Sequence, residues 1–397
     1  ITRRIAISSK KTFSAFIIRI AIAAVALSVA TMIIATAMVT GFQEQVSEKV
    51  FGFWGHIHVH SYSNSSMYDE NAITDSADLN KLISNVEGVR HVQRYATKAG
   101  IIKTADNIEG IFLKGVGEDY DWKNLNQYVM EGKSFSSNDS SAILISSATA
   151  QRLNLKCNDS VNIFFVQDQD IRVRRLHISG IYKTGLTEYD REFALINISL
   201  IQQLNGWNSN QFGGYEVFIN DVRNIDTVGS MLDLYVGQGL KAETMKQVNP
   251  NIFDWLKLQD VNEQVIITLM MVVSIINMIT ALLILILERT NMIGIMKAMG
   301  SSNWQLRKIF LLNAAFIIGI GLMIGNFLGI GLCWLQMHFH LLKLPEDTYY
   351  LSEAPVSIHL TTILLINIAT LAICTLMMWL PSWLVSRITP IKAIRFS

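Results

Sequence analysis

The chain has 397 residues, of which 50% are hydrophobic and only 16% are charged, and its formal net charge is +1. This composition is typical of a membrane protein with one sizeable soluble domain. The three cysteines, Cys157, Cys333 and Cys374, form no CxxC pair, so we predict neither a disulfide framework nor a cysteine-bound zinc ion. Because the sequence begins at Ile1 rather than at Met, we expect a few further N-terminal residues.

Four apolar runs are long enough to cross a bilayer as helices, which takes about 20 residues each. The first is too long for a cleavable signal peptide, so we predict that it is retained. Upstream of the second run, apolar residues at helical spacing indicate that this helix begins near residue 251, outside the membrane. The predicted transmembrane helices are residues 13–40, 265–288, 309–335 and 360–380.

The distribution of basic residues predicts the orientation of these spans. Lysine and arginine precede the first span, lie between the second and third, and follow the fourth, whereas the loop at residues 336–359 is acidic. We therefore predict that residues 1–12, 289–308 and 381–397 are cytoplasmic. Residues 41–264 then form a large domain on the outer side.

The third predicted span is rich in glycine. Gly321 and Gly325 are four residues apart, so they lie on one face of a helix. Small residues at this spacing let a neighbouring helix approach closely, either within the chain or in a second subunit.

The predicted outer domain alternates strand-like and helix-like segments. Its strand candidates are rich in β-branched and aromatic residues. The mixture predicts an α+β domain inserted between the first two spans. The strand candidates are residues 56–61, 110–116, 142–146, 161–166, 171–182, 193–196 and 215–219, and the helix candidates are residues 77–84, 147–153, 200–204 and 221–235.

Motifs for catalysis and nucleotide binding are missing from the sequence. It contains no GxxxxGK[ST] phosphate loop, no HExxH and no GxSxG, so we predict a non-catalytic protein without a cofactor of its own. His56, His58 and His60 alternate along a strand and lie about 7 Å apart on one face, which is wide for one shared metal ion. A solvated face is the favoured interpretation. The acidic outer domain does not resemble a nucleic-acid-binding surface.

Residues 166–175, VQDQDIRVRR, predict a polar hairpin that ends in a basic strand. Gln167, Asp168, Arg172 and Arg174 carry its polar character. They either contact a partner protein or form a solvated strand edge that is protected by charge.

Segments spread over nearly the whole chain, in the same order, are similar to one family. They include GFQEQV at 41–46, GIYKTGLTEYDREFALINISLIQQL at 180–204, LPEDTYYLSEAPVSI at 344–358 and WLPSWLVSRITPIKAIRFS at 379–397, together with Asn277. MIGIMKAMG at 292–300 resembles a cytoplasmic coupling motif found in MacB and FtsX. The chain therefore resembles the LolC/LolE permeases of lipoprotein-releasing ABC transporters. This implies four transmembrane helices with an inserted α+β periplasmic domain of the MacB/LolE type.

The resemblance also implies a location and partners. The permease would lie in the bacterial inner membrane, with its large domain in the periplasm. A separate LolD-like ABC ATPase would bind ATP and Mg. Two permease copies, or this permease and a sibling subunit, would transmit the resulting motion, extract a lipoprotein from the membrane lipid and pass it to a LolA-like chaperone.

Three sets of residues would carry these roles. Because Met292 stands where the family often has Glu, docking on the ATPase would rest on apolar contacts. The hairpin looks shorter than the chaperone-binding hook of LolC and nearer to the LolE form, so chaperone binding by this subunit stays open. The expected coupling residues are Met292, Ile293, Gly294, Ile295, Lys297, Met299 and Gly300. The expected lipid-anchor cavity residues, which could instead face lipid or other helices, are Ile33, Met38, Phe42, Ile266, Met270 and Val273. The expected partner hairpin residues are Gln167, Asp168, Arg172 and Arg174.

Two other functions stay open on the sequence. An FtsX-like signalling protein would use the same cytoplasmic motif to regulate a periplasmic cell-wall hydrolase. A MacB-like efflux subunit would normally carry its ATPase on the same chain, and this chain has no nucleotide-binding motif.

Overall fold

The computed structural model describes residues 13–63, 71–75, 77–104, 107–167, 170–237 and 239–382. The predicted cytoplasmic segment at residues 1–12, and most of the predicted tail at 381–397, lie outside these residues. The chain divides into two compact units. The membrane unit comprises Ile1–Glu44, Trp255–Lys343 and Glu353–Ser397, and the outer unit comprises Gln45–Asp254 and Leu344–Ser352.

The described residues form helices and strands in both units. The helices are α1 Phe13–Trp54, α2 Ala77–Ser84, α3 Lys123–Asn126, α4 Ser147–Leu153, α5 Thr187–Glu192, α6 Ile198–Asn205, α7 Ile225–Tyr235, α8 Met245–Val248, α9 Pro250–Glu288, α10 Thr290–Ala298, α11 Asn303–Phe339, α12 Glu346–Tyr349, α13 Leu360–Met377 and α14 Trp379–Ser382. The strands are β1 Ile57–Ser61, β2 Ile73–Thr74, β3 Val89–Lys103, β4 Ile108–Val116, β5 Val129–Gly132, β6 Ala142–Ser146, β7 Ser160–Gln167, β8 Asp170–Tyr182, β9 Phe193–Asn197, β10 Gln211–Phe212, β11 Gly214–Ile219 and β12 Leu240–Thr244.

Four helical stretches of the described residues are long and apolar enough to cross a membrane: α1, α9, α11, and α13 with α14. α9 begins at Pro250, which confirms the predicted upstream extension of the second span. α1 has 42 residues and continues to Trp54, beyond the predicted end of the first span at residue 40. The reason is a second apolar stripe at helical spacing, because Val46, Val50 and Trp54 are all buried.

The outer unit is built on a ten-stranded sheet in the order β12-β1-β11-β3-β4-β9-β6-β8-β5. Most pairs are antiparallel, but β4 with β9 and β6 with β8 are parallel. β7 pairs with both β3 and β8. Six strands (β3, β4, β9, β6, β8 and β7) therefore close on themselves around a core that includes Ile143, Ile163 and Phe165. The predicted α+β domain is confirmed.

Glycines on α11 allow α1 to approach closely within the membrane unit. A Cβ atom on Gly321 would lie 2.7 Å from Cγ1 of Val25, and one on Gly325 would lie 2.7 Å from the carbonyl oxygen of Ala26. Gly329 continues the same row. Of the two alternatives that the sequence left open, the structure therefore shows close packing within the chain.

A pair of amides joins α11 to α13. Asn326 Nδ2 donates to Asn367 Oδ1 at 2.8 Å, and Asn367 Nδ2 donates to Asn326 Oδ1 at 2.9 Å. Such reciprocal bonds satisfy polar groups that lipid cannot hydrogen-bond, so they fix the two helices against each other.

The glycine packing predicts a sharp difference between two alanine substitutions in α11. Gly325→Ala should destabilise the membrane unit by about 1–3 kcal/mol, because the new methyl group meets backbone that has to shift. Gly331→Ala is the matched control, since nothing lies within 4 Å of its Cβ position. Thermal unfolding of the purified chain in detergent measures both. Equal unfolding temperatures for the two variants would contradict the packing described here.

Candidate functional site

The predicted coupling segment consists of α10 and the tight turn that ends it. After α10, the Gly300 N–H donates to the Lys297 carbonyl and the Ser301 N–H donates to the Met296 carbonyl, each at 3.0 Å. This is the Schellman arrangement, and Gly300 has the positive φ of 94° that it requires. Ser302 then caps α11 by a reciprocal pair of hydrogen bonds with Gln305. The connection between the second and third spans is therefore fixed by hydrogen bonds.

α10 has an inward and an outward face. Ile293 is fully buried, and Met292 and Met296 pack against the core of the membrane unit. Ile295 and Met299 are four residues apart and point outward, with exposed fractions of 48% and 74%. Of the predicted coupling residues, these two are exposed and apolar, while Gly294 is buried and Lys297 is half-buried.

Polar side chains join the outer parts of α1 and α9 within the membrane unit. Thr36 Oγ1 donates to Glu263 Oε1 at 2.7 Å. Gln43 Nε2 donates to Asp260 Oδ1 at 2.7 Å. The two helices are thereby held in one register.

The six predicted cavity residues do not share one face. Ile33 is buried against Gly329 of α11. Met38, Phe42, Ile266 and Met270 are partly buried, and Phe42 contacts the Trp255 ring edge-on at 5.2 Å between ring centroids. Val273 is exposed.

An exposed apolar seam runs along α9, and sequence reasoning missed it. Its residues are spaced three or four apart and are between 46% and 60% exposed: Leu258, Val261, Val265, Leu269, Val272 and Ile276. The first two lie among Lys257, Asp260 and Glu263. Because charges are costly in hydrocarbon, this end of the seam lies beyond the lipid core. The coiled-coil-like spacing between charged residues was the signal that could have revealed it.

The predicted hairpin consists of β7 and β8, paired out to Gln167 and Asp170. Asp168 lies outside the described residues. Arg172 Nη1 donates to the Leu204 carbonyl at 2.7 Å, and Arg174 Nη1 donates to the Val173 carbonyl at 3.0 Å. The two arginines thus bond to nearby carbonyl groups of the same domain.

The opposite face of the hairpin is apolar. Val166 pairs with Ile171, and Phe164 pairs with Val173, so these side chains share one face. Ile101 continues the row on β3, where it pairs with Phe164. Val166, Ile171, Val173 and Ile101 are exposed. We call these four residues the hairpin face.

A fully buried charge cluster lies at the end of α1. Lys114 Nζ is 2.6 Å from Glu216 Oε1, and both side chains are completely buried. Lys114 also donates to the carbonyl of Phe53 and lies 4.5 Å from the Trp54 ring. Gln93 Nε2 donates to the other Glu216 oxygen at 2.6 Å. Sequence reasoning missed this cluster, because an isolated lysine in a strand gives no sign of burial.

The interpretation of the three histidines as a solvated face is wrong for two of them. His56 and His58 are buried beside the end of α1, and His58 Nε2 contacts the Trp54 carbonyl at 2.6 Å. Burial lowers the pKa of His56 to about 4 and the pKa of His58 to about 3. His60 is half-buried and lies 3.0 Å from Glu243 Oε2.

Two family descriptions match the chain. Residues 264–390 match the FtsX-like permease C-terminal domain, and residues 20–233 match the MacB-like periplasmic core domain. The second match covers more than half of the chain. The chain belongs to the family with the MacB-like periplasmic core domain.

Curated relatives extend the likeness over nearly the whole permease. The lipoprotein-releasing system transmembrane protein LolC of Xylella fastidiosa (strain Temecula1) is 22% identical over 97% of this chain and 95% of its own length. The protein LolE of Haemophilus influenzae is 19% identical over the same shares. The predicted resemblance to the LolC/LolE permeases is thereby confirmed. Among solved structures, the periplasmic region of MacB from Actinobacillus actinomycetemcomitans is 13% identical, with 49% of this chain and 91% of that region covered and a TM-score of 0.34.

The buried histidine predicts a pH dependence of stability. His58 takes up a proton near pH 6.5 when unfolded but only near pH 3 when folded, so the unfolded state binds more protons between these values. Stability should therefore fall as the pH decreases through this window, by up to about 1.4 kcal/mol per pH unit. His58→Gln keeps a donor for the Trp54 carbonyl and removes the titration. Chemical unfolding of the chain in detergent should show a shallower loss between about pH 6 and pH 4 in this variant.

His177→Gln is the control, because the His177 side chain is 39% exposed. The stability of this variant should change with pH in the same way as that of the unsubstituted protein. If His58→Gln also follows the unsubstituted protein, His58 is not held neutral by burial.

Proposed function

We propose that this chain is the membrane permease of a lipoprotein-releasing ABC transporter in the bacterial inner membrane, with its outer unit in the periplasm. A separate LolD-like ATPase would bind ATP and Mg and hydrolyse the nucleotide. One observation carries the proposal: beside the hydrogen-bonded turn between two spans, Ile295 and Met299 are exposed. The full-length similarity to proteins named for lipoprotein release supports it.

The outward face of α10 fits a protein partner. Apolar side chains as exposed as Ile295 and Met299 gain free energy when a partner removes them from water. The Schellman turn at Gly300 and the cap at Ser302 hold this face against α11, so a push on α10 is passed to the span. Met292 packs inward and would carry the same push to the core of the membrane unit.

The seam on α9 fits a second permease, either a copy of this chain or a sibling subunit. Lipid cannot cover its first residues, Leu258 and Val261, because charged residues surround them. A second permease can cover both the charged and the apolar parts of the seam. Two such helices would enclose an apolar space between them within the membrane.

That space fits the acyl chains of a lipoprotein. Each buried methylene is worth about 0.8 kcal/mol, so an anchor with two or three chains resists extraction by tens of kcal/mol. An apolar enclosure that opens and closes under ATP hydrolysis lowers this barrier. We place the cavity around the exposed Val273 and the neighbouring seam residues Val272 and Ile276. Of the six predicted residues, the five that are not exposed would join it only after a rearrangement.

The hairpin face fits the chaperone that would receive the lipoprotein. It is apolar and exposed, whereas Arg172 is engaged with the Leu204 carbonyl. A LolA-like protein would therefore bind through apolar contacts with Val166, Ile171 and Val173.

An FtsX-like signalling role is the second candidate, because residues 264–390 match the FtsX-like permease C-terminal domain. It predicts normal lipoprotein sorting and failed septation when the protein is depleted. The proposed transporter predicts normal septation on depletion, with lipoproteins retained in the inner membrane.

The coupling face predicts that Ile295→Asp with Met299→Asp detaches the ATPase. Loss of two central apolar contacts should weaken binding at least about tenfold. Co-purification of the ATPase from native membranes and release of lipoprotein from spheroplasts are the measurements. Leu234→Asp is the control, since Leu234 is 83% exposed on α7 of the outer unit. A double variant that keeps both ATPase and release would disprove the coupling assignment.

The seam predicts a cross-link between two permeases. Val261→Cys labelled with a thiol-reactive photocrosslinker should form a cross-linked dimer in native membranes, and mass spectrometry should identify a second copy or a sibling permease. Gln264 is exposed but lies about 60° from Val261 and about 100° from Val265 around the helix, so Gln264→Cys should stay monomeric. Labelling of Val261→Cys without any dimer would show that no second permease covers the seam.

A further inference from the structure

The loop between α11 and α13 ends in a tip that belongs to the outer unit. Its base is a short hairpin in which Leu344 N–H donates to the Ser352 carbonyl at 3.0 Å and Ala354 N–H donates to the Leu342 carbonyl at 2.9 Å. Residues Leu344–Ser352, which include α12, cluster with the outer unit although both flanking helices belong to the membrane unit. We call these nine residues the loop tip.

Two lysines hold the loop tip. Lys49 Nζ donates to the Tyr350 carbonyl at 2.8 Å, and Lys183 Nζ forms an ion pair with Glu346. Tyr350 caps the single turn of α12 in the left-handed conformation, with a φ of 60°. Its carbonyl lies at the end of that turn and accepts the hydrogen bond from the Lys49 ammonium group. Leu351 is buried.

The surface that receives the loop tip is rigid. Gly185 has a φ of 81°, and its N–H donates to Asp190 Oδ2 at 2.9 Å. Thr184 donates to the other Asp190 oxygen through both its N–H and its hydroxyl. Asp190 is buried, so the turn from Lys183 to Gly185 has one conformation.

A side chain at residue 185 would displace the ends of the side chains that hold the loop tip. A Cβ atom there would lie 2.6 Å from Glu346 Oε1 and 2.8 Å from Lys49 Nζ. The two lysines come from different elements, since Lys49 lies on α1 and Lys183 follows β8. The loop tip therefore contacts the outer end of α1 and the sheet at the same place.

A purely stabilising role does not explain this arrangement. The Lys183–Glu346 pair is partly exposed, with side-chain fractions of 42% and 28%, and such pairs contribute little to stability. The covalent connection between the loop tip and the two flanking spans explains more than the ion pair does. The loop tip is the only described segment between α11 and α13 that belongs to the outer unit, so it links the ends of two spans to that unit.

We propose that the loop tip is a mechanical tie through which α11 and α13 drive the outer unit, in addition to the direct continuation of α1 and α9. This rests on the proposed function, because the driven movement is the one that would release a lipoprotein. The tie works only while Lys49 and Lys183 hold the loop tip. Releasing it should leave ATP hydrolysis running while lipoprotein release stops.

Gly185→Ala tests the tie, with Gly206→Ala as the matched control. Both glycines have a positive φ, 81° and 68°, so both alanines carry a similar backbone penalty. Nothing lies within 4 Å of the Cβ position at Gly206, whereas the alanine at 185 meets the loop tip. Carbodiimide in native membranes should join the Lys183 and Glu346 side chains by an amide bond, and peptide mass spectrometry measures its yield.

In Gly185→Ala, the yield of this cross-link should fall about tenfold, as expected when one or two hydrogen bonds are lost. Lipoprotein release should fall with it, while ATP hydrolysis stays within about twofold of the unsubstituted complex. Gly206→Ala should keep both activities and the cross-link. A charge exchange gives a second measurement, since Lys183→Glu should reduce release and Lys183→Glu with Glu346→Lys should restore it.

The outcomes separate the tie from the proposed function. If the unsubstituted complex hydrolyses ATP without releasing lipoprotein, the proposed function fails, and the cross-link still reports whether the loop tip is docked. If it releases lipoprotein and Gly185→Ala loses the cross-link but releases equally well, the tie is disproved. Restored docking without restored release in the charge exchange would disprove it as well.

Discussion

The ammonium group of Lys114 fixes where α1 ends, and the outer unit is organised around that end. It bonds to the Phe53 carbonyl in the last turn of α1 and to Glu216 on β11, with both charged side chains completely buried. Apolar residues of similar volume often stabilise a protein as well as a buried ion pair does, so stability alone does not explain the pair. Its contribution is specificity, because a charge that loses its partner inside the domain is very costly. Gln93 on β3 and the buried His58 complete the same environment. The last turn of α1 is thus held beside β1, β3, β4 and β11 by one connected set of contacts.

The membrane unit obtains its specificity by other means, because lipid offers no competing hydrophobic effect. Close approach comes from the glycine row on α11, where the backbone of α1 takes the space of the missing side chains. Register comes from a few polar contacts, such as Thr36 with Glu263 and Asn326 with Asn367. Polar pairs of this kind favour one alignment of two helices, whereas apolar contacts tolerate sliding. The turn after α10 adds a third constraint, since its Schellman bonds and the cap at Ser302 set the direction in which α11 begins. Close packing and a few polar bonds together therefore set which residues of neighbouring helices face each other.

Much of this architecture was predictable from the sequence, and the failures have physical reasons. The four spans and seven of the strands were found because apolar length and β-branched content are local signals.

β3, the longest described strand with 15 residues, was missed. Its sequence carries Arg90, Arg94 and Lys98 and lacks a regular alternation, and it is stable because β11, β4 and β7, which are distant in the chain, pair with it. The histidines were assigned to a solvated face because an alternating polar pattern usually marks one. In the structure, the end of α1 covers the face that carries His56 and His58, and this contact is visible only in the tertiary fold. The sequence placed an amphipathic segment closed by Gly300 between the second and third spans, but the division into the inward Met292 and the outward Ile295 needed the structure.

Charge decides which exposed apolar residues require a protein partner. Many residues on α9, α11 and α13 are exposed, and lipid covers such side chains at no cost when their neighbours are also apolar. Leu258 and Val261 differ, because they alternate with charged residues that cannot enter hydrocarbon. Ile295 and Met299 differ in the same way, since they lie on a helix that is flanked by Glu288 and Arg307. In both places water is the only alternative to a partner, and water disfavours apolar surface. The two surfaces lie on opposite sides of the second span, on α10 and on the outer part of α9. A partner bound at one and a partner bound at the other are therefore connected through α9, which ends at Glu288, and through Arg289, which joins it to α10.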